Sequence, residues 1–352
     1  MKIHKFLLGS LVALGTMGFG VRALHSQQKT GASSTVQVHM VITDQALRDD
    51  SEVPILRPEN VQVRQGKTSL KVDHLIPARG DNAALQLFIL IDDTCDTSIG
   101  NSLNDLRDFV NAQPATTVVG VAYMSNATIQ IAQNFTNDHA AVARAIRLPR
   151  GNVSSMDSPY LSLISLLKGW PEQKVRREVL MVSDGIDRLR SDPTTRAAYS
   201  PTYGGGTRRA QMPTTTMSTS MSTISPDADT ASTTAQRYGV IVHGIYATGV
   251  GRMGRNAWEA QLGQGGMGKI ADESGGEYYS LGTQNLVSFK PYLDRLQRVL
   301  DNQYYLVFGA VPRNKAGLQR VRISTEASGF EVAAADNVWV PVSGETTDGK
   351  ND

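Results

Sequence analysis

Carboxylates and a hydroxyl crowd one point of the sequence, Asp92-Asp93-Thr94-Cys95-Asp96, directly after the apolar run Leu87-Phe88-Ile89-Leu90-Ile91. A second apolar run, Val179-Leu180-Met181-Val182, ends in the same manner at Ser183-Asp184-Gly185. Oxygen donors converging from two such loops suit a hard divalent cation, Mg2+ or Ca2+. The chemistry requires that Asp92, Thr94, Asp96 and Asp184 be delivered by neighbouring strands. Apolar runs of this kind read as strands buried on both faces of a parallel sheet. Polar groups just beyond their carboxyl ends sit where open α/β sheets hold ligands. Without a cation, carboxylates packed this closely repel and raise one another's pKa.

The elements that would position these residues follow from the pattern around them. Apolar runs predict strands at 85–91, 117–124, 128–132, 178–183 and 239–246. Amphipathic spacing predicts helices at 100–112, 137–147, 158–169, 229–237, 256–274 and 288–301. Alternation of strand and helix implies a doubly wound, mostly parallel α/β sheet. Only Ser125-Asn126-Ala127 separates two of the strands, so they form a hairpin that supplies one antiparallel edge. Both ends of the chain are β-rich instead. Val36–Ile42, Asn60–Lys67 and Leu70–Ile76 lie on one side, and Tyr304–Phe308, Gln319–Ser324, Phe330–Val332 and Val338–Val340 on the other. Neither set is large enough alone, so the two pair into a small β-sandwich-like domain. The expected organisation is an accessory β-domain of 35–80 and 303–342 around an α/β domain of 81–302. A Ser/Thr/Gly-rich insert at 187–228 would overhang the crevice, and 343–352 forms a disordered tail.

The chain of 352 residues is 40% hydrophobic and 19% charged with a net charge of +2, which describes an ordinary globular protein. Its basic residues are spread along the chain, which argues against nucleic acid as a partner. Lys2, His4 and Lys5 precede an apolar, small-residue stretch from Phe6 to Val21, and Val21-Arg22-Ala23 resembles a signal-peptidase exit. Residues 1–23 therefore read as a cleavable signal peptide and 24–34 as a disordered leader, placing the mature protein outside the cytoplasm, secreted or periplasmic. No later run is long enough to cross a bilayer. Cys95 is the sole cysteine, so no intrachain disulfide forms.

The strand–helix alternation and the two acidic loops resemble a von Willebrand factor type A (VWA) domain. Val118–Ser125 is similar to that family's second strand, Val240–Tyr246 to its late strand, and Ile270–Tyr279 to the segment that follows. Pro58–Val63 and Gln303–Phe308 resemble flanks of the VWA-related exported proteins of acidobacteria. The resemblance implies a metal site made of Asp-x-Ser-x-Ser, a middle-loop Thr and a late Asp. Asp92 matches the first Asp, Thr94 the first Ser, and Asp184 the late Asp; Asp96 stands where the second Ser belongs. No Thr occupies the middle loop, where Ser155 or Ser158 stands in, although Ser158-Pro159 also reads as a helix N-cap. The extra charge of Asp96 strengthens attraction for a cation but disfavours an acidic partner completing its coordination. The alternative is a degenerate loop in which Asp92 and Asp96 cap turns and the next helix.

Other motifs carry less. Gly249-Val250-Gly251-Arg252-Met253-Gly254 matches G-x-G-x-x-G, but it comes late and lacks the downstream acidic residue of a dinucleotide site. Gly263–Ile270 resembles a P-loop without the Ser/Thr that would hold Mg2+. No nucleophile elbow occurs, and the histidines never pair at ligand spacing. The resulting expectation is an exported, non-enzymatic protein-binding module with a metal-ion-dependent adhesion site at the carboxyl edge of the sheet. A self-assembling envelope protein without metal is the alternative, and a metal-assisted hydrolase a third.

Overall fold

In a computed structural model, the described residues are 35–46, 56–171, 175–190, 225–250, 257–282 and 286–342. The expected signal peptide, leader and tail, most of the insert and the second half of G-x-G-x-x-G lie outside them.

Every residue of strand β5 (Leu85–Asp92) is buried, as its unbroken apolar run requires. Gln86, the one polar side chain before the terminal Asp92, accepts a hydrogen bond from Trp170 Nε1 at 2.6 Å. Strand β5 is central because parallel neighbours flank it: β6 (Thr117–Ser125) on one side and β8 (Arg176–Ser183) on the other. Beyond β8 lie β9 (Ile241–Tyr246) and the two-residue β10 (Tyr278–Tyr279), both parallel. Beyond β6 lies β7 (Thr128–Thr136), antiparallel, joined through a tight turn with positive φ at Asn126 and Ala127. The six-stranded order is β10-β9-β8-β5-β6-β7.

Helices cover both faces. On one side, α1 (Ser102–Asn111), α2 (His139–Ala145) and α6 (Lys290–Asp301) bury Leu106, Val142 and Leu296 with Leu87, Ile89 and Val182 of the sheet. On the other, α3 (Pro159–Lys168), α4 (Pro226–Tyr238) and α5 (Ala257–Ser274) bury Leu163, Ala231 and Ile270 with Phe88, Leu90 and Met181. Caps set the boundaries: Asp138 accepts from Ala141 N before α2, and Gly239 closes α4 in the left-handed conformation. No helix among the described residues is long and apolar enough to cross a membrane.

The strands at the two chain ends do pair with each other. β1 (Val36–Asp44) runs antiparallel to β11 (Gln303–Ala310), which also pairs with β4 (Val72–Pro77). β2 (Val61–Gln65) forms a hairpin with β3 (Thr68–Leu70) through Gly66, and pairs on its other side with β13 (Arg322–Thr325). β12 (Gly317–Arg320) pairs with β15 (Asn337–Val340), and β14 (Val332–Ala334) adds to β1. Alternating inward residues, among them Val38, Ile42, Val63, Leu306 and Phe308, build a third core between these sheets.

Candidate functional site

The chain leaves β5 for β6 on one side and later returns to place β8 on the other, so the order reverses between β5 and β8. That is the switch point where open α/β sheets form a crevice. Asp92 ends β5, and Ser183-Asp184 ends β8. The Ser183 hydroxyl donates to Asp92 Oδ2 at 2.6 Å, so the two acidic loops meet as the sequence pattern requires.

Asp92 accepts through both oxygens. Oδ1 takes the Thr94 amide at 2.9 Å and the Thr94 hydroxyl at 2.8 Å, an Asx turn that folds the loop back on the strand end. Burial, and then the charge of Asp184, push its carboxyl group up from 3.8 to about 6 against the opposing pull of Arg188, Ser183 and Thr94. Asp184 is fully buried. Its Oδ1 accepts from Ile186 N at 2.9 Å, and its Oδ2 pairs with Arg188 Nη2 at 2.5 Å. Arg188 Nη1 also donates to the Ile186 carbonyl at 3.2 Å. Burial opposes the charge of Arg188, yet the carboxylates of Asp184, Asp92 and Asp157 hold its pKa above the usual value.

The other predicted ligands bond to partners other than Asp92 and Asp184. Asp96 lies at the N-terminus of a short 3-10 turn (Thr97–Asn101), where its side chain accepts from Ser98 N at 2.8 Å. Ser158 caps α3 by accepting from Leu161 N and also bonds the Asp187 carboxylate. Cys95 is buried, its thiol pushed well up by burial and then by Asp92 and Asp184, which leaves it a packing residue rather than a nucleophile.

Backbone closes over this cluster. Asp96 N donates to the Thr248 carbonyl at 2.8 Å and Val250 N to the Thr94 carbonyl at 2.9 Å. The strap between them passes so near that a Cβ on Gly249 would lie 2.1 Å from Asp184 Oδ2 and 2.8 Å from Arg188 Nη2. From below, α5 presses on the Asp184-Gly185 backbone: a Cβ on Gly263 would lie 2.3 Å from the Asp184 carbonyl oxygen. The glycines that resemble a P-loop therefore lie inside α5, where Gly263 permits close packing on this loop and Gly266 on Tyr160 of α3.

Sequence reasoning missed three further charged groups. Asp93 is buried and held by Arg147 through both oxygens at 2.7 and 2.8 Å. Asp157 accepts from Asn126 N at 2.7 Å and Ser154 N at 2.6 Å, while its carbonyl accepts from Arg188 N at 2.9 Å. Arg188 falls at the start of the expected insert, but Asp187 and Arg188 are buried and belong to the site.

Strand order, switch point and acidic strand ends together define the fold. Its solved neighbours include von Willebrand factor type A domains. The von Willebrand factor type A protein from Catenulispora acidiphila aligns over 90% of this chain and 76% of its own, at 9% identity and a TM-score of 0.37. The SpRpn10 VWA domain aligns over 61% and 95%, at 11% identity and 0.35. An aerotolerance-related membrane protein from Bacteroides fragilis NCTC 9343 aligns over 62% and 99%, at 12% identity and 0.39. No family model and no curated protein sequence matches the chain.

The VWA resemblance implies a divalent cation at this switch point, and the donor set can be tested against one. A Mg2+ or Ca2+ ion needs about six or more oxygen ligands around one point. Here both oxygens of Asp92 and of Asp184 are engaged within the protein, and a guanidinium lies against Asp184. Arranged in this way, the residues do not fit a divalent ion.

Proposed function

We propose that the chain is an exported, non-enzymatic protein-binding module of VWA-like fold that engages its partner through the carboxyl edge of the sheet. One observation carries this reading. The loop between α2 and α3 is irregular, yet it is anchored along its length to buried carboxylates. Arg147, through its guanidinium, and Arg150, through its amide, bond Asp93, while Gly151 N donates to the Asp93 carbonyl and Ser154 N to Asp157. Anchored so, the loop holds Leu148 at 50%, Val153 at 39% and Met156 at 54% exposure, beside the switch point. Exposed apolar side chains on a rigid backbone are the economical design for a binding surface, because little conformational entropy remains to be lost on association.

Charge gives the partner a chemistry. The side chains of Arg147 and Arg150 reach solvent at the same loop, 36% and 56% exposed. An apolar anchor flanked by carboxylates on a partner protein matches that surface. Export rests on the basic flank, apolar core and small-residue exit of residues 1–23.

The test is retention of partners from the native envelope on immobilised protein, comparing the unaltered chain with Leu148→Asp/Met156→Asp and adding chelator to each. Retention that survives chelator and is lost in the double variant, at unchanged melting temperature, supports the reading. Equal retention by both proteins overturns it, and oligomers in light scattering that neither change disturbs point to the self-assembling alternative.

A further inference from the structure

We infer that Arg188 is the resident cation of the switch-point site: its guanidinium supplies the positive charge for which the VWA resemblance implies a metal ion, and its removal leaves the strand-end carboxylates able to take a divalent cation. This inference rests on the geometry around the ends of β5 and β8 and is independent of the partner reading.

The argument begins with charge. Asp92 and Asp184 are both buried, and two carboxylates in such a place need a positive charge. The pair Arg188–Asp184 supplies it at 2.5 Å, with side chains 1% and 0% exposed. The guanidinium is fixed from several directions. Its own backbone amide is held by the Asp157 carbonyl at 2.9 Å, Nη1 donates to the Ile186 carbonyl at 3.2 Å, and the Gly249 backbone covers Nη2. Its field reaches Asp92 and Asp157 as well as Asp184. A planar cation fixed in this way neutralises Asp184 by contact and Asp92 by its field, the charge compensation a metal ion would otherwise supply.

Exclusion follows from the same contacts. A divalent ion near Asp184 would share a low-dielectric space with a fixed positive charge and would have to displace it. Without the guanidinium, buried Asp184 loses its counter-charge and Asp92, close enough to feel the charge of Asp184, stays beside it, so the strand ends carry excess negative charge. Hard oxygen ligands with excess negative charge are what Mg2+, Ca2+ and Mn2+ require.

The experiment is thermal melting of the unaltered protein, Arg188→Ala, Arg188→Lys and Arg188→Ala/Asp184→Asn in chelator and in millimolar Mg2+, Ca2+ or Mn2+. The unaltered protein and Arg188→Lys are expected to melt at the same temperature in every condition. Arg188→Ala is expected to melt lower in chelator and to recover by about 5 °C or more with at least one ion, since a ligand that binds only the folded state stabilises it. The double variant should lose that response. If Arg188→Ala is unfolded in chelator, recovery of its far-UV circular dichroism on adding ion is the supporting result. A chelator-reversible rise in the unaltered protein overturns the inference, as does an Arg188→Ala variant that responds to no ion.

Discussion

Replacing Asp92 by Asn should change how stability depends on pH, and the size of the change follows from its surroundings. Burial first, and the neighbouring Asp184 second, move the Asp92 carboxyl group from 3.8 to about 6. The folded protein therefore holds this proton more tightly than the unfolded chain does. A raised carboxylate contributes stability that is fully present below pH 3.8 and is lost as pH rises through about 6. At about 1.4 kcal/mol per pH unit, the full difference is about 3 kcal/mol, of which about 2 kcal/mol falls between pH 4.5 and 7. Asn keeps the shape and the acceptor for Thr94 but has no proton to release. Urea denaturation of both proteins at half-unit steps of pH reads the effect, because groups remote from Asp92 titrate alike in the two. The unaltered protein should lose about 2 kcal/mol relative to Asp92→Asn across that window. A difference flat to about 0.5 kcal/mol, or one of opposite slope, would show that Asp92 is not the strained carboxylate described here.

Three other changes test separate contacts. Gly263→Ala drives a Cβ to 2.3 Å from the Asp184 carbonyl and should cost about 1–3 kcal/mol in chemical denaturation, because the opposing atom is backbone and must move with its loop. Arg147→Met leaves buried Asp93 without its bidentate partner; about 2 kcal/mol of destabilisation is expected, with faster amide exchange at 148–157, and unchanged exchange there would contradict the anchoring role. His243→Leu strands the buried Glu178 that now accepts from His243 Nε2 at 2.8 Å and should cost about 3–5 kcal/mol. The double change Glu178→Leu/His243→Leu should recover more than half of that loss, and a purely additive double variant would show that the pair is not coupled.

The α/β body was legible because its signals are local. The run at β5 could only be a doubly covered strand, and it extends over Leu85–Asp92. The predicted helix at 158–169 is α3, bounded by the Ser158 cap that its sequence announces. The hairpin through Asn126 and Ala127 follows from there being too few residues for a crossover. Boundaries moved where tertiary context decided them: the helix expected at 137–147 shortens to His139–Ala145 because the Arg147 amide donates to the Tyr123 hydroxyl and its guanidinium is held by Asp93. The convergence of Asp92 and Ser183-Asp184 was legible from two matching strand ends. What they would meet was not. Arg188 lies in a polar stretch that reads as loop, and nothing in its neighbours says that a guanidinium turns inward. Asp93 and Asp157 were equally silent, since an anchoring carboxylate differs from a solvated one only by which amides surround it.

The pairing of β1 with β11 has a consequence for how the molecule assembles. Thr43 and Gln303 are partners across 260 positions of sequence, and the whole of Val36–Ala310 is closed by this one ladder. Until β11 has been synthesised, β1 has no partner on that edge and β4 has none on its own. Chain ends that meet only last make a slow, long-range step, and the waiting strands offer open edges to neighbouring molecules. Ending the polypeptide at residue 302, just before β11, should therefore do more than shorten it. It should release apolar strands at the opposite end and promote aggregation, while leaving the α/β body's own ladders formally intact.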